Sequence, residues 1–314
     1  MKAVVCTKYG SPDVLQLMDV EKPLPGRLEV CVKIYATAVT ASDCIIRGFR
    51  LPFWHPMGFM MGVAIGFNGP RQPILGIVFS GVVESLGAGV TRFKKGDEVF
   101  GWELFPGFGA YAEYKCIKES GMIIKKPDNM NFVESSALIY GGLLALAIIK
   151  KTNIHKGSRV LIYGASGSIG TSAVQLAKYY GAEVTGVCGT TNLDLVKSLG
   201  ADEVMDYTKE DAIEKVYDII IDAVGKKKTS KLKQACRKAL VPGGRYISID
   251  DGAPKNDIGD LNLLKELAEA GKLKSIIDKT YPIDKIAAAH EYADKGHKKG
   301  NVIITVFPDS QTRS

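Results

Sequence analysis

Short alternating runs of apolar and polar residues dominate the first 123 positions, and a slower, mixed rhythm follows. The early runs, at 28–35, 77–84, 97–100 and 110–116, are rich in valine and separated by glycines. Alternation of period two marks half-buried strands, and strands joined by glycine turns with few helices predict a small β-barrel or sandwich. From about residue 124, helical patterns alternate with apolar runs. Strands are predicted at 182–187, 203–206, 217–222 and 244–249, with helices between them. The run at 217–225 has the composition of a strand buried on both faces of a parallel sheet. Beyond residue 272 the pattern predicts a helix over 283–293 and a last strand over 301–306 that returns the tail to the first domain. The chain thus reads as α/β: one domain over 1–123 completed by 272–314, and a second over 124–271.

The junction at 158–170 narrows the chemistry. An apolar run (Val160, Leu161, Ile162, Tyr163) ends in three glycines spaced by three, Gly164, Gly167 and Gly170. A helical pattern follows at once, with Ile169, Ala173, Val174, Leu176 and Ala177 on one side. That order suits a dinucleotide: amides at a helix N-terminus face the pyrophosphate, and missing side chains let the backbone come close. The stretch reads as a nucleotide-binding βαβ unit. The next strand ends in Cys188, Gly189, Thr190, Thr191 and Asn192, without the Asp or Glu that an NAD site uses to bond the ribose 2′-hydroxyl. A 2′-phosphate would meet no like charge there and could bond Thr190, Thr191 and nearby amides. NADP(H) is therefore favoured over NAD(H). The same threonines also suit the cap of the next helix, and the turn itself holds no arginine or lysine.

Bulk properties exclude several classes. The 314 residues provide for two cores, and 46% hydrophobic with 24% charged residues is the balance of a globular protein. The net charge of +7 comes with scattered basic pairs and no nucleic-acid-binding motif, so no nucleic-acid partner is expected. The opening residues read as a strand, not a secretion signal, and the longest apolar stretch, 137–149, is broken by Gly141 and Gly142 and is too short for a bilayer. A cytoplasmic protein without membrane insertion is the expectation. The six cysteines are dispersed with no Cys-x-x-Cys pair, as for free thiols in a reducing compartment.

In its ordered motifs the chain resembles the medium-chain dehydrogenase/reductase superfamily, in the zinc-free quinone oxidoreductase branch. The match runs nearly end to end: the opening Met1 to Val5, residues 36–43 with Arg47 and Gly48, 76–84, 93–101, 109–113, the glycine turn, 199–202, Asp206 with Tyr207, 222–225 and 242–244. The resemblance implies a GroES-like β-barrel domain plus a Rossmann domain with a doubly wound parallel sheet, and an active cleft between them. Zinc alcohol dehydrogenases of the superfamily place a metal-ligand cysteine where this chain has Thr40, and Gly-His-Glu where it has Gly76, Ile77 and Val78. Isoleucine and valine cannot ligate a metal, and the lobe of four close cysteines for structural zinc is missing. No metal is expected.

What the resemblance implies is NADPH-dependent reduction of quinones or α,β-unsaturated carbonyls, with a small hydrophobic carbonyl or quinone as substrate. Ser166, Gly167, Ser168 and Ile169 should present amides to the pyrophosphate, while Thr190, Thr191 and Tyr207 should surround the 2′-phosphate. Ala223, Val224, Ile247 and Ser248 match strand ends beneath the nicotinamide ribose and amide, and Asn301 is a further cofactor contact. Thr40, where relatives often have asparagine, and Tyr140 are the candidate catalytic residues. A packed tyrosine at a helix start is the plainer reading of Tyr140, and Asp43 reads as structural, bonding backbone near Arg47. Residues 49–69, with Trp54, His55 and three methionines, read as a glycine-loosened lid or as packing; the glycines argue against a rigid helix. A metal-free alcohol or aldehyde reductase and a non-catalytic NADPH-binding protein are the rival readings, and a homodimer through a Rossmann edge strand is compatible with the family.

Overall fold

The computed structural model describes residues 1–49, 56–67, 69–104, 107–225, 230–252 and 255–307. Two compact units divide the chain: Met1–Ile139 with Ile277–Ser314, and Tyr140–Ile276.

The first unit opens with an antiparallel pair, β1 (Lys2–Cys6) and β2 (Leu15–Asp19). The eleven-residue β3 (Glu29–Val39) then runs into α1 (Ala41–Arg47) and α2 (Pro56–Ile65). Next come β4 (Val78–Leu86), β5 (Glu98–Trp102), β6 (Tyr114–Lys118) and β7 (Ile123–Lys125), and α3 (Phe132–Ile149) leads out. Even-numbered residues of β3 point inward. Val30, Val32 and Ile34 pack with Phe79, Val83, Val99, Ile117 and Ile123 in one core cluster. Each such side chain contributes about 1.5–3 kcal/mol through burial. Strands β3 and β4 approach closely at Gly81, where a Cβ would lie 2.0 Å from the Lys33 carbonyl oxygen.

Two expectations for this unit need correction. Residues 56–65 form a helix despite Gly58 and Gly62. Gly62 is there for packing, since a Cβ on it would lie 2.4 Å from the Phe67 ring. Trp54 and His55 lie outside the described residues. The helix that holds the apolar stretch 137–149 begins at Phe132, so α3 is, by length and composition, a helix able to cross a membrane; 89% of it is buried within the fold. Tyr140 therefore sits mid-helix, not at a helix start.

The second unit alternates β8 (Arg159–Tyr163), α4 (Ser168–Tyr179), β9 (Glu183–Cys188), α5 (Leu193–Ser198) and β10 (Glu203–Asp206). It continues with β11 (Tyr217–Asp222), α6 (Lys231–Lys238), β12 (Leu240–Ser248) and α7 (Ile258–Glu269). The sheet order is β10-β9-β8-β11-β12, and every pairing is parallel. The expected helix between β10 and β11 is missing: residues 207–216 contain a turn and irregular chain. Distance explains this. From edge strand β10 the chain crosses three strand spacings, about 14 Å, and returns about 20 Å along the sheet. Ten helical residues span only about 15 Å, whereas extended chain covers the path.

The tail forms β13 (Ile277–Pro282), α8 (Ile286–Asp294) and β14 (Asn301–Thr305). Strand β14 pairs antiparallel with β3 and parallel with β13, so it rejoins the first unit's sheet.

Candidate functional site

The order of the parallel sheet reverses between β8 and β11, and open α/β sheets bind ligands beside the strand ends flanking such a switch. The glycine turn lies there. Its glycines serve three different purposes. Gly164 has φ +85°, and a Cβ on it would lie 2.4 Å from Val224 Cγ1. Gly167 is the N-cap of α4 without a side-chain cap, and a Cβ on it would meet nothing nearer than the Gly164 oxygen at 3.6 Å. Gly170 lets helix and strand touch: its Cβ would fall 2.1 Å from the Gly164 oxygen. The result is a twelve-residue helix whose N-cap makes no side-chain hydrogen bond, the kind of helix start that suits an anion.

A fourth glycine supports the cradle from behind. Gly141 of α3 faces the first turn of α4, and a Cβ on it would lie 2.1 Å from the Ser168 carbonyl oxygen. Sequence reading passed over Gly141, because a glycine inside a helix reads only as a weakness until its neighbour is known. Tyr140 precedes it and is 8% exposed.

At the end of β9, Thr190, Thr191 and Asn192 form a single helical turn. The Thr190 hydroxyl donates to the Asp206 carboxylate, as does the Thr208 hydroxyl at 2.7 Å. These two donors, with the Thr208 amide, hold the Asp206 carboxyl below its usual range. Thr190 thus has its proton committed to Asp206, which corrects the expectation that no like charge stands beside the threonines: the carboxylate reaches Thr190 from the neighbouring strand, a juxtaposition the local pattern could not show. Lys209 Nζ stands 3.9 Å from that carboxylate. Tyr207 is 39% exposed, its hydroxyl beside Gly189 and its ring 6.2 Å from that of Tyr163. Asn192 joins the two turns. Its Nδ2 donates to Ser166 Oγ at 3.2 Å, while its Oδ1 is buried with no hydrogen-bond partner. Such an orphaned acceptor beside a phosphate-type loop suits a bound hydroxyl or amide donor.

Across the switch, Asp222 ends β11 as a hub. Its Oδ1 accepts from the amides of Val224 and Gly225, both at 3.2 Å. Its Oδ2 accepts from Tyr246 at 3.0 Å and Ser248 at 3.3 Å, and pairs with Lys233 Nζ at 2.8 Å. Lys233 also donates to the Gly225 carbonyl at 2.6 Å. The Ala223 amide bonds the Tyr163 carbonyl at 3.0 Å, fixing the 222–225 turn to the end of β8. Of the residues expected here, Ala223 and Val224 line that turn, while Ile247 and Ser248 are buried at the end of β12.

Thr40 and Asn301 belong to the first unit. Asn301 is buried at the start of β14, opposite Ile277. Thr40 and Asp43 form a capping box on α1. The Thr40 hydroxyl donates to Asp43 Oδ2 at 2.6 Å and accepts from the Asp43 amide at 3.3 Å. Asp43 also accepts from the Thr40 amide at 3.0 Å and the Gly76 amide at 3.1 Å, a structural, backbone-bonding role; Arg47 pairs with Asp294 at 2.7 Å. Burial lifts the Asp43 carboxyl to about 6, against the opposing hydrogen bonds from Thr40 and Gly76. His290 completes this buried cluster. One ring nitrogen lies 3.2 Å from the Tyr111 hydroxyl and the other 3.6 Å from Cys44 Sγ. Burial, then the nearby Arg47, push its pKa down to about 3. Neither Tyr111 nor His290 was picked out as functional from the sequence, since a lone His or Tyr at apolar spacing carries no signal of its partners.

Zinc does not suit the residues present. The Thr40 hydroxyl is engaged in the cap, and Ile77 and Val78 are buried and apolar. Among the described residues, no group of three His, Cys, Asp or Glu is placed to hold a metal ion. The glycine turn, with the orphaned Asn192 acceptor and the uncapped α4, does suit a dinucleotide.

Both units match known protein families. Residues 26–128 match the family model of the alcohol dehydrogenase GroES-like domain, and residues 168–270 that of the zinc-binding dehydrogenase; a second zinc-binding dehydrogenase model matches 253–304. The chain is 32% identical to a 2-methylene-furan-3-one reductase of Solanum lycopersicum, and 30% identical to a chloroplastic NADPH-dependent alkenal/one oxidoreductase of Arabidopsis thaliana. Each alignment covers 98% of this chain and 80% of the relative. Among solved structures, the quinone oxidoreductase from Coxiella burnetii superposes with a TM-score of 0.81 at 26% identity, covering 98% of this chain and 99% of that one.

Proposed function

The chain belongs to the medium-chain dehydrogenase/reductase superfamily, in its quinone oxidoreductase-like branch, and from that premise we propose that it reduces enones or quinones without a metal ion. It is an NADP(H)-dependent oxidoreductase acting on small quinone or carbonyl substrates. When bound, NADPH supplies a hydride, which in this proposal goes to the β-carbon of the enone.

The observation that carries the metal-free reading is the coexistence of an intact dinucleotide cradle with Thr40, Ile77 and Val78 at the positions where zinc enzymes carry ligands. Hydride addition to a β-carbon gives a delocalised enolate, more stable than a simple alkoxide, so the protein has to orient the substrate and lend modest stabilisation of charge. The chain's own residues divide that work. Ser166, Gly167, Ser168 and Ile169 bind the pyrophosphate, with Gly141 fixing Ser168 from behind. Tyr207 and Thr191 face the 2′-phosphate, Thr190 having given its proton to Asp206, and the Asp222 hub holds the 222–225 turn under the nicotinamide ribose. Thr40 gives its proton to Asp43, so it meets a substrate as an acceptor or by shape, not as an acid. Tyr140 is the proposed hydrogen-bond donor to the developing enolate, and solvent or a ribose hydroxyl relay delivers the final proton.

The test is NADPH and NADH oxidation over enones, quinones and aldehydes, with and without chelator, followed by stereospecifically deuterated NADPH. Label at the β-carbon and chelator-insensitive turnover are expected. Label confined to the carbonyl carbon would sink the reading, and turnover lost to chelator would sink its metal-free part.

A further inference from the structure

We propose that Cys31 and Cys116 form a redox-reversible modification site on the first unit's sheet, closing to a cross-strand disulfide when a peroxide oxidises them. Cys31 of β3 and Cys116 of β6 are register partners in an antiparallel pair that shows no register shift. The flanking backbone bonds fix which kind of pair they are. Ile34 N donates to Glu113 O and Glu119 N to Leu28 O, each at 2.9 Å, so hydrogen-bonded pairs fall at 34/113 and 28/119. Three residues from each, 31/116 is a non-hydrogen-bonded pair, the type whose Cα atoms come within about 4.5 Å and whose side chains stand closest. A disulfide accepts Cα separations of about 4.4–6.8 Å, so closure needs no strand to move.

The surroundings make this pair chemically distinct. Val30, Val32 and Ile117 face the core, so alternation sets Cys31 and Cys116 together on the opposite face. Cys31 is fully buried, its Sγ 3.8 Å from the Pro23 carbonyl, while Cys116 is partly exposed. A hydrogen bond from the Cys116 thiol, helped by the Lys22 ammonium, holds the Cys31 thiol below its ordinary range, and Cys116 rises in consequence. Burial pushes Cys6 and Cys188 up to about 11 and Cys236 to about 12, and raises Cys44 as well. Of the six cysteines, Cys31 alone is held below its ordinary range, and its partner Cys116 opens the pair to solvent.

The step balances with hydrogen peroxide. One sulfur of the pair attacks the O–O bond, becomes a sulfenic acid and releases hydroxide; the other sulfur displaces the second hydroxide and forms the S–S bond. The two thiol protons convert both hydroxides to water. Two sulfurs are oxidised by two electrons in total, and the peroxide is reduced by two.

The test treats the full chain with hydrogen peroxide, traps the remaining thiols with a maleimide under denaturing conditions, and maps the peptides. A Cys31–Cys116 linked peptide lighter by two hydrogens and reversed by dithiothreitol is expected, with the other four cysteines still taking maleimide. Cys116→Ser should abolish the link and leave a dimedone-reactive sulfenic acid on Cys31. Recovering both sulfurs as maleimide adducts at a dose that oxidises any other cysteine overturns the proposal, as does sulfinic acid at either position without a link. Should a variant fail to fold, the wild-type map decides alone.

Discussion

Replacing Gly141 with alanine separates helix propensity from the geometry of the phosphate cradle. In an isolated helix the change stabilises by about 1 kcal/mol, because glycine is the poorer helix former. Here the new methyl would lie 2.1 Å from the Ser168 carbonyl oxygen and 2.7 Å from its carbonyl carbon. An ordinary contact begins at 3.4 Å, so α3 and α4 must part by roughly 1.3 Å at this point. Overpacking of that kind costs about 1–3 kcal/mol, giving a net loss between about zero and 2 kcal/mol. Ser168 is the first residue of α4, so the displacement falls on the amides proposed to hold the pyrophosphate. A hydrogen bond to a charged group is worth about 1.5–3 kcal/mol, and losing the alignment of one should raise the Kd for NADPH about tenfold or more. Fluorescence titration with NADPH and urea unfolding measure the two effects separately. Gly142→Ala is the control: its methyl would meet the Leu264 methyls at 2.8 and 3.1 Å, side-chain tips that can turn aside. It should change stability while leaving NADPH affinity within about twofold. Equal NADPH affinity in wild type and Gly141→Ala, with the variant at least as stable, would refute the reasoning.

The buried cluster of the first unit should show two opposed pH dependences. Asp43 is lifted from 3.8 to about 6, so the folded state keeps a proton that the unfolded chain has lost; stability falls by about 3 kcal/mol as pH rises from about 4 to about 6, then stays level. In Asp43→Asn that fall should vanish from the pH series of urea midpoints. His290 is depressed from 6.5 to about 3, so its contribution is complete above pH 6.5 and shrinks on acidification, by about 2 kcal/mol at about pH 5. His290→Gln should lack this loss; an unchanged acid limb would show that another group titrates there. Lys233→Met leaves the Asp222 carboxylate buried with its other donors, so a loss of about 3 kcal/mol, at the low end for a broken buried pair, is expected in urea. Tyr207→Ala should weaken NADPH about tenfold and NADH little; equal weakening of both would remove Tyr207 from the 2′-phosphate.

Period and punctuation in the sequence determined the α/β architecture and the dinucleotide turn. Alternation needs only adjacent residues to show which face is wet, and Gly164, Gly167 and Gly170 follow their strand directly, so β8, the turn and α4 could be read locally. Ile77 and Val78 were equally legible, because a side chain without a donor atom cannot ligate wherever it lies. Contacts that join distant residues could be decided only by tertiary structure. Gly141 matters because Ser168 abuts it, the Thr190 hydroxyl is committed because β10 lies beside β9, and His290 is neutral because α8 buries it near Tyr111 and Arg47. Likewise the missing helix between β10 and β11 follows from strand order, which no local pattern encodes. Periodicity tells a residue's face; only the packed chain tells its neighbour, and the neighbour sets its charge, its free hydrogen-bonding atoms and its tolerance of a methyl group.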